Sequence, residues 1–283
     1  MGVDIGDDLG IEVNFSAGSR SVRYRLNLDI ERFSHFCIFN LLNSGVLYGP
    51  EVSAFLVRAL RPGDVFVDVG AHIGYFSMMA ANLVGPSGAV FSVEPEPGNF
   101  DRLKRHAIEN GFQQIEAFNL AFAAEASETT FHLNADNDGG HALWNPGLHP
   151  FNLRTRTAPQ LIRVRTATLD TFKAIGQRPA RVIKLNTEGA EHQILRGASR
   201  LLGQRRTPFV VCDVNTFGLE QMGSSQLSFR AYLAKFGYST FALDPEGSRP
   251  RLVPPDRLIA ANAAEESDRF TVLFSTPEAV ASI

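Results

Sequence analysis

The stretch from Asp64 to Phe76 constrains this chain more than any other. Val65, Phe66, Val67 and Val69 form a short apolar run, and Gly70 and Gly74 bracket the turn that follows. A run of this length, rich in β-branched and aromatic residues, reads as a parallel strand buried on both faces. Arg61, Pro62 and Gly63 punctuate its start, and from Tyr75 to Leu83 the apolar residues take helical spacing until Gly85. Strand, glycine turn and helix N-terminus in that order bring backbone N–H groups up to a nucleotide-like ligand.

The residues around the turn narrow the ligand. A dinucleotide fingerprint wants three glycines facing a pyrophosphate, whereas here there are Gly70 and Gly74, with Asp68 just ahead of them. A carboxylate is repelled by a diphosphate at short range. It suits a ligand that carries an amino group and no phosphate, such as S-adenosylmethionine. A second apolar run, Ala89 to Val93, ends at Glu94, where a carboxylate accepts hydrogen bonds from ribose hydroxyls. Glu96 suits the first turn of the helix that follows.

Three segments then carry a resemblance: Val67 to Gly74, Val93 to Pro95, and Val182 to Glu191 continuing through Ile194 to Ala198. In this order they resemble the FkbM-type S-adenosylmethionine-dependent methyltransferases, with similarity fading outward over about Gly45 to Phe274. The resemblance implies an α/β fold, a doubly wound, seven-stranded, mostly parallel Rossmann-like sheet. It implies S-adenosylmethionine as cofactor, and often O-methylation in natural-product or glycan pathways. Carried onto this chain, it implies cofactor contacts from Asp68, Gly70, Ala71, His72, Gly74, Glu94, Asn119 and Ala121. Asn119 stands at the third strand's tip, where its amide suits the adenine edge. Two positions depart from the family pattern: His72 replaces the usual Asn, and Asn186 the usual Asp. His is among the non-glycine residues enriched at positive φ, so a conformational role suits His72.

With 283 residues, 44% of them hydrophobic and 20% charged, the chain can build a sizeable core. A net charge of −3 gives no support for a nucleic-acid partner. Cys37 and Cys212, far apart in apolar surroundings, read as buried free thiols of a reducing compartment. The acidic amino terminus lacks a signal-peptide layout, and no apolar run approaches a membrane span. The expectation is a cytoplasmic protein acting on a small-molecule acceptor, without nucleic acid or membrane.

Residues 1–60 read as a cap or substrate region. They comprise a strand pair up to about residue 30, a helix around Arg32 to Leu42 over the crevice, and a helix from Val52 to Leu60 after the break at Tyr48 to Glu51. Residues 61–283 read as the cofactor domain, the whole being one compact unit. Asn134 to Arg156, rich in Gly and Pro and lying between two strands, reads as a lid.

In an open α/β sheet, reacting groups lie beyond the carboxyl ends of the strands. That rule selects Asn186, Glu188, Asp213 and Asn215 for the acceptor side. Glu188 or Asp213 is the candidate base, with Asn186 orienting the hydroxyl and His141, after a Gly-Gly pair in the lid, a second base. Glu188 as a mere helix cap is the competing role. Tyr48 and Glu51 reach toward the acceptor from the cap. No metal is expected, since hard cations want charged oxygens and Asn186 has none. Two other functions compete: a nicotinamide-dependent oxidoreductase, disfavoured by Asp68 and the absent middle glycine, and a non-catalytic S-adenosylmethionine-binding module.

Overall fold

A computed structural model of the chain describes residues 8–17, 20–244, 249–259 and 269–283. Residues 1–7, which carry most of the acidic amino terminus, lie outside them. In chain order the strands are β1 (Leu9–Ala17), β2 (Arg20–Leu28), β3 (Val65–Val69), β4 (Ala89–Val93), β5 (Ile115–Phe118), β6 (Ala121–Phe122), β7 (Glu128–Leu133), β8 (Gln160–Ala167), β9 (Val182–Leu185), β10 (Phe209–Asn215), β11 (Ser239–Ala242), β12 (Arg251–Leu252) and β13 (Arg269–Ser275). The first four helices are α1 (Phe33–Asn43), α2 (Pro50–Ala59), α3 (Tyr75–Val84) and α4 (Pro97–Glu109).

The main sheet has the order β12-β11-β13-β10-β9-β3-β4-β5. Strands β5, β4, β3, β9 and β10 run parallel, while β13 lies antiparallel to both β10 and β11. The sheet therefore has eight strands where seven were expected. The extra one, β12, pairs two residues with Phe241 and Ala242, too short to show any alternation in the sequence. β7 and β8, expected as flanking strands, pair antiparallel and join β6 in a separate small sheet.

The chain builds outward from β3 to β4 and β5 on one side and to β9 and β10 on the other. The carboxyl ends of β3 and β9 thus flank the switch point, where a crevice opens. Helix α3 stands over it and is buried on nearly every side, from Tyr75 through Val84 except Asn82. Its inner face meets the sheet, and β2 covers its outer face with Val22, Tyr24, Leu26 and Leu28, all buried in the same core. That cover explains why α3 has no polar stripe. Cys212 is buried in the core, but Cys37 on α1 is only half-buried, because α1 has one face toward solvent. No helix among the described residues is long and apolar enough to cross a membrane.

The connection from β9 into the helix Glu191–Arg196 is shaped by one carboxylate. Oε1 of fully buried Glu191 accepts from the Thr187 N–H and Oγ1, both at 2.9 Å, and from the Gly189 N–H at 3.3 Å. Gly189, at φ +101°, lies against another backbone: a Cβ there would come within 2.1 Å of the Gly218 carbonyl carbon. Burial pushes the Glu191 carboxyl up to about 7. The folded state then binds a proton that the unfolded chain releases near its ordinary value of 4.5. The resulting stabilisation is complete below that value and is lost as pH rises through about 7. Glu191→Gln is accordingly expected to flatten the fall in melting temperature between pH 5 and 8, gaining on the parent at pH 8. Parallel melting curves for the two proteins across that range would contradict this.

Candidate functional site

A cleft of about 880 Å3 opens at the carboxyl ends of β3, β4 and β9. Gly70, Ala71 and His72 of the first turn line it, with Glu94 beyond β4 and Asn186 beyond β9. Gly70 has φ +72°, and a Cβ there would stand 1.9 Å from the Asn186 carbonyl oxygen. Only glycine lets these two turns approach so closely. His72 also takes positive φ, +52°, and its N–H donates to Glu94 Oε2 at 2.8 Å while the Glu96 N–H donates to Oε1 at 2.9 Å. Burial raises the Glu94 carboxyl from its ordinary value, partly offset by these bonds. Glu96 is the cap of α4, accepting from the Gly98 and Asn99 N–H groups.

Several implied cofactor residues act from behind this lining. Asp68 is wholly buried within β3 and does not face the cleft. Its Oδ1 accepts from Lys184 Nζ at 2.9 Å and its Oδ2 from Ser77 Oγ at 2.7 Å, with Ser92 Oγ donating on to Ser77. A strand alternates its side chains, and the register that buries Val67 and Val69 on one face turns Asp68 toward α3 on the other. Asn119 likewise does not line the cleft: its Nδ2 donates to the Glu94 and Pro95 carbonyls, each at 3.0 Å, and ties two strand ends together. Gly74 starts α3 at φ +90° and stands outside the lining. Leu120, Ala121, Phe122 and Phe131 supply an apolar slot there instead.

The segment Asn134 to Arg156 lies over the cleft as an ordered connection that carries a 3-10 turn, Pro146–Leu148, and runs into a short helix, Leu153–Thr157. Asn134 Oδ1 accepts from the Asp136 and Asn137 N–H groups and from Thr155 Oγ1. Asp138 reaches α1, accepting from the Ser34 N–H at 2.9 Å and Ser34 Oγ at 2.6 Å, and stands 3.5 Å from His72 Nε2. Burial opposes its charge, but bonds from His72 and Ser34 outweigh that and hold its carboxyl below the usual range. His35, His72 and Asp138 converge closely enough to suggest a metal. The hydrogen bonds exclude it. His35 Nδ1 accepts the Asp29 N–H at 3.0 Å, so its neutral ring carries its proton on Nε2, toward Asp138, where a metal would need a lone pair. Burial pushes the His35 ring down to about 3, keeping it neutral. His141 fails as a base for the same reason: its Nδ1 accepts the Asn134 N–H at 2.9 Å, and burial lowers it to about 4. Its free nitrogen is a donor.

Beyond the carboxyl ends of β9 and β10 the structure brings Glu188, Asn215 and Arg269 together. Glu188 Oε2 accepts from Arg269 at 2.6 Å and from Asn215 Nδ2 at 3.0 Å. Because Glu191 holds the loop, Glu188 is not the cap of the following helix. It sits at φ +56°, with its carbonyl accepting Trp144 Nε1–H at 2.5 Å. Glu188 lines both the cofactor cleft and a wider hollow of about 1550 Å3 beside it, which Asn215 and Arg269 also line. Asp213 lines neither. Its Oδ2 accepts from Asn186 Nδ2 at 3.3 Å, and burial raises its carboxyl against the opposing pull of Arg269. Arg269 is raised in turn, its neighbours Glu188 and Asp213 outweighing burial. Tyr48 lines the cleft, its hydroxyl raised by burial. Glu51 instead borders a small separate hollow with Phe55 and Arg58, because the turn of α2 that carries it faces away from the cleft.

Sequence reasoning passed over Arg269, Lys184, Asp138 and Trp144. Arg269 begins an antiparallel strand, so the carboxyl-end rule never selects it; Asp138 and Trp144 lie in the lid, which has no periodicity. Lys184 does carry a signal, a lysine inside an otherwise apolar strand, which needs a buried partner.

The residues present fit S-adenosylmethionine. The apolar slot suits a purine ring, and Glu94 keeps lone pairs for ribose hydroxyls. Asn186 Oδ1, buried with no partner, offers an acceptor to an ammonium group. The model of the methyltransferase FkbM domain matches residues 68–240. The chain is 49% identical over 49 residues to the 31-O-demethyl-FK506 methyltransferase FkbM of Streptomyces tacrolimicus, covering 17% of this chain and 18% of that protein. It is 34% identical over 68 residues to the protein-L-isoaspartate O-methyltransferase of Ignicoccus hospitalis, covering 23% and 32%. These matches span about a third or less of either relative's length. The crystal structure of the FkbM methyltransferase from Methylobacillus flagellatus KT superposes with a TM-score of 0.44 at 15% identity, covering 78% of this chain and 50% of that one. A domain model that spans more than half of the sequence settles the matter: the chain belongs to the methyltransferase FkbM domain family, whose methyl donor is S-adenosylmethionine.

Proposed function

We propose that the protein transfers a methyl group to a hydroxyl of a small natural-product or sugar-type molecule. The observation that carries this reading is the position of Glu188, a buried carboxylate shared between the cofactor cleft and the wider hollow. S-adenosylmethionine supplies, when bound, an electrophilic methyl carbon on a sulfonium. The chain's own residues do the rest. Gly70, Ala71 and His72 shape the wall of the cleft, and Glu94 takes ribose hydroxyls. Asn186 offers its unpartnered Oδ1 from the far side. Glu188 receives the acceptor's proton: an alcohol oxygen becomes strongly acidic as it gains a carbon, so a carboxylate within reach suffices. Arg269 and Asn215 hold Glu188 by hydrogen bonds and aim it, and Asp213 with Asn186 stands behind them. Positioning of this kind supplies much of the rate in a displacement.

Two measurements test the assignment. Glu188→Gln is expected to lower kcat by ~10²–10⁴-fold, the range of a lost general base, with the dissociation constant for S-adenosylmethionine unchanged in calorimetric titration. An unaltered rate would reduce Glu188 to a structural role. Methyl gain absent from every hydroxylated acceptor, despite tight cofactor binding, would favour a non-catalytic module. Glu94→Gln turns an amide toward the His72 or Glu96 N–H and is expected to weaken cofactor binding at least tenfold, about 1.4 kcal/mol. Unchanged affinity would remove Glu94 from the ribose site.

A further inference from the structure

The hollow beyond Glu188 has two unlike surfaces. Its floor is polar, with Glu188, Asn215 and Arg269 joined by hydrogen bonds. Its rim is aromatic and wet: Phe33 is 55% exposed and Phe151 67%, and both line the hollow. Phe33 also lines the adjoining depression, together with Phe36, 48% exposed. Single exposed apolar side chains are ordinary. Phe33 on α1 and Phe151 in the loop line the mouth of one hollow, with Phe36 in the depression beside it, and together they give the mouth an exposed apolar edge of the sort that marks a binding surface.

We infer that the methyl acceptor is an amphiphile, whose hydroxyl-bearing head rests on Glu188, Asn215 and Arg269 and whose apolar body lies over Phe33, Phe36 and Phe151. This rests on the methyl-transfer reading and names the class of molecule that reading requires. A fully polar acceptor, such as a free sugar, leaves the aromatic rim in water and gains nothing from it. A fully apolar one strips water from the Glu188–Arg269 pair without replacing its hydrogen bonds, which is costly. An amphiphile satisfies both surfaces at once. Phe33 and Phe151 line the same hollow as Glu188, Asn215 and Arg269, and Phe36 borders the depression that shares Phe33, so one molecule reaches both surfaces.

The chain's single tryptophan, Trp144, lines the same hollow and reports its occupancy by fluorescence without any turnover. The full-length protein loaded with S-adenosylhomocysteine is titrated with methyl β-D-glucoside and with n-octyl β-D-glucoside below its micelle concentration. The octyl compound is expected to shift Trp144 emission with a dissociation constant at least tenfold below that of the methyl compound. In the Phe33→Ser/Phe151→Ser double variant the two constants are expected to converge, with S-adenosylhomocysteine affinity and melting temperature unchanged. Equal constants in the parent protein overturn the inference, as does an octyl preference that survives the double substitution. A parent protein that sediments as a dimer and becomes monomeric in the double variant also overturns it, because a second copy then covers the rim. Failure to bind S-adenosylhomocysteine at all would be a separate result: it removes the methyl-transfer reading, and this inference with it.

Discussion

Lys184 and Asp68 face each other across β9 and β3, paired in register on the two strands that flank the switch point. Their side chains are 3% and 0% exposed, and their charged atoms lie 2.9 Å apart. Burying two charges is costly, and such a pair is tolerated only when the remaining lone pairs and protons are satisfied. Here they are: Ser77 donates to the other Asp68 oxygen, and Lys184 donates also to the Gly70 carbonyl and lies over the Phe76 ring. One ammonium thereby fixes the strand pairing, the first glycine turn and the start of α3. Removing either partner leaves an uncompensated buried charge, typically a loss of about 3–5 kcal/mol. The cleft inherits its shape from this pair, although Asp68 never touches it.

The sequence showed the parts that are local. The β3–turn–α3 unit, Glu94 at the end of β4, the antiparallel pair of β1 and β2, and helix α1 beside the crevice all follow from periodicity and punctuation over short windows. What stayed hidden depends on register. Asp68 reads as a strand-end ligand because sequence places it near the turn, yet one residue of alternation decides whether it faces the cleft or α3. Asn119 is misread in the same way, its amide turned back onto the Glu94 and Pro95 carbonyls. Arg269 follows a stretch without pattern and reaches Glu188 from 81 residues away. No spacing rule links residues whose proximity comes only from an antiparallel strand inserted at the sheet's far side.

Hydrogen bonding decides the roles of the histidines more firmly than composition does. His141 and His35 each have Nδ1 occupied by a backbone N–H, which fixes the proton of the neutral ring on Nε2 and leaves neither ring a free lone pair. Each ring then presents an N–H and no acceptor, and His141 does so at the lining of the cleft. Carboxylates are left to do the accepting, and they differ in surroundings. Glu191 is held by its own loop, and Asp213 is withdrawn behind Asn186. Glu94 is fixed by two backbone N–H groups on the cofactor side. Glu188 alone among these four lines the junction of the two cavities.

His72 and Glu188 share a further property: both are non-glycine residues at positive φ, +52° and +56°. A left-handed conformation costs roughly 1–2 kcal/mol per residue, so each needs outside support. The loop over the cleft supplies it at both places. Asp138 engages the His72 ring and Ser34, while Trp144 donates to the Glu188 carbonyl. The lid therefore does more than cover the crevice. Two of its anchor points fall on the two turns that line the cleft with a non-glycine residue at positive φ, His72 after β3 and Glu188 after β9. The contacts that seat the loop on the rest of the fold are thus the same contacts that support His72 and Glu188 at positive φ.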